Sequence, residues 1–170
     1  MKKCMLSPLK EDKIQITING KNYVLSRIVA IRDFHLADGT LIPAGKKGGY
    51  VEKEENLSQK GGSWVFEGCK VFGDAFVGDN AIMFGNTMAY GNALLLGHSQ
   101  MYGNAKIFGK TIVKDYSRVY ANSVLGGKVR VGGTASVSNT ETSHGKFVNA
   151  FYNYGLKNYY PEDDSTEIEF

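Results

Sequence analysis

Proline, cysteine and histidine are scarce in this chain, with three, two and three of them in 170 residues, and there is a single tryptophan. So few prolines leave the backbone free to pair along most of its length. Cys4 and Cys69 show neither metal nor disulfide spacing, which argues against a disulfide framework or a thiolate metal site. His35, His98 and His144 stand apart in the sequence, so the clustered histidines of a zinc centre are not expected, and neither is a cofactor. No apolar run reaches the roughly 18 residues of a membrane span, and the lysines of the N-terminus precede no apolar stretch of useful length. A cytoplasmic protein is the expectation. A glycine-rich phosphate loop, a Ser-His-Asp pattern and a paired-carboxylate site are all missing in any credible context.

Charge is also sparse. The net value is +3, and residues 1–50 hold nine Lys or Arg against four Asp or Glu, while residues 161–170 hold five acids and no base. A nucleic-acid binder concentrates its basic residues in a stripe, so nucleic acid is not an expected partner.

What the chain has in quantity is glycine, 21 residues of it, and a period. Apolar residues return every six positions from Val65 through Val71, Val77, Met83, Ala89 and Leu95 to Val137. Four places after each as far as Val131 comes a small residue, as at Cys69, Ala75, Ala81, Thr87, Ala93, Ser99 and Ala135, with Val129 the one larger exception. Six residues on an α-helix rotate by about 600°, which scatters these positions over several faces. An extended chain with a corner every six residues points them all inward. Gly-polar pairs such as Gly85-Asn86, Gly97-His98 and Gly103-Asn104 supply the corners. The reading is an all-β coiled solenoid over residues 51–140, with an N-terminal β-hairpin cap over 1–50. That cap contains a hairpin at Asn19-Gly20 and a turn at Asp38-Gly39. Residues 141–170 form a capping or subunit-crossing segment, in which Phe147, Phe151 and Tyr154 have helical spacing and Gly155 ends the helix. Tyr50 to Lys60 make an irregular first coil, with Val51 and Leu57 in phase with the small slot, and the repeat stops after Asn139.

The hexad aliphatic-x-Gly-Asn-Ala-x resembles the left-handed parallel β-helix of hexapeptide-repeat proteins. The series Arg32-Asp33-Phe34, Gly48-Gly49-Tyr50-Val51, Asn56-Leu57-Ser58 and Trp64-Val65 resembles the head of phage- and prophage-encoded β-helix proteins. The resemblance implies a triangular prism with about 18 residues per coil, left-handedness and a homotrimer.

Counting by coils places outward residues above one another. Phe76, Leu94 and Ile112, with Met88 and Ile82 on neighbouring columns, form the candidate subunit contact, because exposed apolar stripes are uncommon on soluble monomers. Asn86, Asn104 and Asn122 make an amide ladder. Two aromatic columns face outward, Phe66, Phe84, Tyr102 and Tyr120 on one and Phe72, Tyr90 and Phe108 on the other. One corner stacks His98 under Tyr116 and Gln100 under Arg118. Imidazole, phenol, amide and guanidinium together suit a small anionic, nucleotide-like ligand, with Tyr90, Tyr102 and Lys106 as further candidates. The expected function is non-catalytic sequestration of such a signal in inter-subunit grooves, countering host defence in the host cytoplasm. A protein-interaction inhibitor of a host defence complex or a virion component is the first alternative. The second is acyl transfer with His98 as general base, against which stands the lack of any loop interrupting the hexads.

Overall fold

The computed structural model describes residues 1–142, together with the backbone of 150–154 and 157–159. It is a β-solenoid of parallel coils, all-β among the described residues apart from two single 3-10 turns, Lys10–Asp12 and Glu54–Asn56. Three parallel sheets form its faces. The first runs through Lys47–Val51, Lys70–Val71, Met88–Ala89, Lys106–Ile107, Val124–Leu125 and Glu141–Thr142. The second holds Trp64–Val65, Ile82–Met83, Gln100–Met101, Arg118–Tyr120 and Ser136–Ser138, and the third Phe76–Val77, Leu94–Leu95, Ile112–Val113, Arg130–Gly133 and Ala150–Tyr154. On each face the central coils pair residue to residue at a step of 18, as in Met83↔Met101 and Leu95↔Val113.

The period explains the core. Val65, Val71, Val77, Met83, Leu95, Met101 and Ile107 are each wholly buried, and so are the small-slot residues Ala81, Ala93, Ser99, Thr111 and Ser117. Small side chains fill the corners, where two strands converge, with Val129 the buried exception. Where the small residue is serine, it donates to a backbone carbonyl of its own coil, as Ser99 Oγ does to Leu96 O at 2.6 Å and Ser117 Oγ to Lys114 O at 2.6 Å, whereas Thr111 Oγ1 donates to Leu125 O of the next coil at 3.1 Å. Cys69 occupies the same slot, wholly buried beside Thr87, and burial pushes its thiol pKa upward.

The ends of the repeat depart from the sequence reading in three places. Val51 pairs with Val71 and Leu57 bridges to Val77, a step of 20, so both sit in the aliphatic phase and not in the small slot. Two additional residues are absorbed at the corner before Trp64, where Gly61 takes a positive φ. At the other end the coil continues past Asn139, because Glu141–Thr142 pairs onto Val124–Leu125 at a step of 17. Residues 150–154 then form a strand parallel to Arg130–Gly133 and not a helix, because the unpaired edge of the last coil offers backbone partners that helical spacing cannot use. Phe147 and Gly155 lie outside the described residues.

N-terminal to the coils, Lys13–Ile18 and Lys21–Ala30 form the antiparallel hairpin that Asn19-Gly20 calls for, with both turn residues at positive φ. The second strand pairs with Lys47–Val51 and so extends the first face, and Cys4–Leu6 pairs with its far end. Tyr23 on this strand lies 4.7 Å from the ring of Phe72. Phe72 is therefore wholly buried, where the repeat alone puts it on the outer surface.

An ammonium is enclosed here. Lys3 is fully buried, and its ammonium donates to Ser63 O at 2.7 Å, Ser63 Oγ at 3.1 Å and Gly61 O at 3.2 Å, with the Phe34 ring 5.0 Å away. Burial pushes its pKa from 10.5 down to about 8. In the unfolded chain Lys3 keeps its proton up to its ordinary value, so between those two values the unfolded state binds more protons and stability rises with pH. Lys3→Met is expected to abolish that rise, which urea unfolding of both proteins at about pH 7.5 and about pH 10 measures.

Candidate functional site

The second face carries the site. Its strands present Trp64, Ile82, Gln100, Arg118 and Ser136 in one in-register column. Trp64 at the bottom is wholly buried because a short hairpin, Phe34–His35 with Leu41–Ile42, lies over it. Phe34 meets the indole edge to face at 5.4 Å, and Leu36 and Ile42 are buried beside it. The hairpin passes close over Gly62, where a Cβ would stand 2.9 Å from His35 O and 3.3 Å from Ala37 N. Its tip projects beside the next coils and closes one side of a concavity of about 280 Å³.

Leu36, Ala37 and Asp38 form that side; Asn80, Ile82, His98, Gln100, Tyr116 and Arg118 form the other. The corner beneath them is tightly specified. Asp79, Gly97, Asp115 and Gly133 stack there at positive φ. Asp79 Oδ2 accepts the Gly97 N–H at 2.9 Å, and Asp115 Oδ2 accepts that of Gly133 at 2.8 Å. Adjacent backbone bonds, His98 N–H to Asp115 O at 2.6 Å and Tyr116 N–H to Gly133 O at 2.9 Å, hold successive coils at one spacing. That spacing sets the rings of His98 and Tyr116 face to face, 4.8 Å apart and 2° from parallel. Below His98 the column changes to Asn80, whose side-chain oxygen accepts the Gly62 N–H at 3.0 Å.

Two polar side chains of the concavity are uncommitted. The side chains of Gln100 and Arg118 make no hydrogen bond or ion pair among the described residues, and Arg118 and Tyr116 are exposed, Tyr116 at 64%. Such an array offers donors and a ring stack to a ligand without first breaking internal bonds.

Of the residues expected to bind, the structure brings His98, Gln100, Tyr116 and Arg118 together. Tyr102 stands on the same face one column further along, stacked between Phe84 at 4.9 Å and Tyr120 at 5.0 Å. Lys106 lies on the first face, and Tyr90 beyond it is stacked between Phe72 at 5.0 Å and Phe108 at 5.3 Å. Burial raises the pKa of the Tyr90 phenol, with Tyr23 a smaller contributor. The five residues expected at a subunit contact divide among faces: Phe76, Leu94 and Ile112 stack half-buried on the third, Met88 belongs to the first, and Ile82 lines the concavity. In the amide ladder, Asn104 donates to Asn122 at 3.3 Å.

Sequence reasoning missed Asn80, Leu36, Ala37 and Asp38. Asn80 precedes His98 by one coil and was reachable by counting, whereas nothing in the repeat tells where the hairpin tip rests. Among the described residues no group of three or more His, Cys, Asp or Glu could hold a metal ion, and no helix is long and apolar enough to cross a membrane. No protein-family model matches the chain, and no curated protein matches it.

Gly97 is the hinge of this corner. At φ +67, with its would-be Cβ 2.7 Å from Asp115 N, it admits no side chain without moving the backbone under His98. Gly97→Ala is expected to cost about 1–3 kcal/mol, seen as a lowered midpoint in thermal unfolding.

Proposed function

We propose that the protein is a non-catalytic binding protein that captures a small anionic ligand bearing a flat ring, of nucleotide type, on the second face of the solenoid. One observation carries this reading: the parallel His98–Tyr116 pair beside an Arg118 guanidinium that no residue of the described chain neutralises. A ring face supports stacking worth about 1–3 kcal/mol per base, and a guanidinium supports charge-assisted bonds to phosphate. A left-handed coil and a homotrimer, with the concavity opening onto the groove between neighbouring prisms, complete the proposal. So does the setting that the head motif suggests, a phage-encoded protein that withdraws a signalling nucleotide from a host defence.

Native mass spectrometry of the full chain purified gently from bacteria tests this, with the denatured eluate analysed for small molecules. The expected result is a trimer carrying added mass in units of a nucleotide. Arg118→Ala is expected to weaken retention about 10- to 100-fold while the assembly persists. A monomer would remove the groove, and unchanged retention in folded Arg118→Ala would remove the site.

A further inference from the structure

A pocket built only to attract an anion would hold no negative charge, yet this one does. Asp38 is the one carboxylate among the residues that line it, facing a wall whose charge comes from Arg118. The two are not joined: no ion pair among the described residues involves either. Asp38 is also held in place. Its Oδ1 accepts the Thr40 N–H at 2.9 Å, closing the turn on itself. Bonding from the Thr40 side chain, and then from that N–H, keeps the carboxyl below its ordinary pKa and therefore ionised. An ionised carboxylate accepts about four hydrogen bonds and donates none. A ligand that fills the space must therefore present N–H groups to Asp38 and its negative charge to Arg118.

Among flat heterocycles this separates the purines. The guanine edge carries a ring N–H beside an exocyclic amino group, two parallel donors that match the two oxygens of a carboxylate. Hypoxanthine keeps the ring N–H and lacks the amino group. Adenine places a ring nitrogen lone pair beside its amino group, and that lone pair would face a carboxylate oxygen.

Resting on the ring-and-phosphate reading above, we infer that Asp38 is the specificity-determining residue of the site, selecting a guanine-type base by accepting its paired N–H donors while His98 stacks on the ring and Arg118 takes the phosphate. Asn80 and Gln100, on the wall between them, supply amides for the remaining polar atoms of the base and sugar.

Isothermal titration of the full chain with GMP, IMP and AMP tests the assignment, alongside Asp38→Asn and Arg118→Ala. The expected order is GMP, then IMP, then AMP, with GMP ahead of AMP by about 5- to 100-fold. In Asp38→Asn the amide still accepts the Thr40 N–H, so the turn persists. Its oxygen now accepts from the adenine amino group while its N–H donates to the ring nitrogen, and the preference moves to AMP. Equal affinity for GMP and AMP, with binding lost in Arg118→Ala, would overturn the role of Asp38 and leave the ring-and-phosphate reading standing. A GMP preference that survives in Asp38→Asn would do the same. No binding of any of the three would overturn both.

Discussion

Everything in this structure depends on the backbone ladder between coils. Each strand is only two or three residues long through the central coils, too short to be stable as a pair by itself. It is held because the coil above and the coil below present the same residue type at the same height, and alternate N–H groups along a side find the carbonyl one coil on, as in Ile82 N–H to Ser99 O at 3.1 Å and Leu94 N–H to Thr111 O at 2.9 Å. The ladder survives only if every corner turns by the same amount. That requirement explains why residues such as Gly85, Gly103 and Asp115 share the positive-φ region although they differ chemically. It also makes insertions at the ends tolerable and insertions in the middle costly. The steps of 20 and 17 residues fall at the two ends of the first face's parallel stack, where only one other coil has to adjust.

The same ladder makes the site. A column repeats one side-chain position at coil spacing, so two rings in successive coils are stacked without any further design, and an exposed pair such as His98 and Tyr116 is kept parallel by the backbone bonds beside it. What turns a column into a concavity is a feature outside the repeat. Lys3, Phe34 and Trp64 form a packed series that fastens the N-terminal residues and the short hairpin to the first coil. The desolvation cost of the buried ammonium is offset by three acceptors and a ring face. The tip of that hairpin brings a carboxylate opposite a guanidinium without letting the two pair. Opposite charges are thereby left unpaired across the concavity, which is the basis of the proposed selection of a ligand with both a donor edge and a negative charge.

The solenoid, its six inward slots per coil and its two hairpin turns were legible from the sequence because each is a local signal. Val65, Met83 and Leu95 declare their burial by period, and Asn19-Gly20 declares its turn by backbone preference. His98, Gln100, Tyr116 and Arg118 were legible for the same reason, since a fixed coil length converts sequence distance into height. Tertiary structure alone decided the fate of Phe72, covered by Tyr23 from a hairpin about fifty residues away in sequence. It also decided the phase of Val51 and Leu57, the strand at 150–154, and the placing of Asp38 over the second face. Period fixes what each coil does to its neighbours. Where the period ends, an unpaired edge and an open core must be covered by whatever chain is at hand, and that choice is made by packing among distant residues, which no local pattern records.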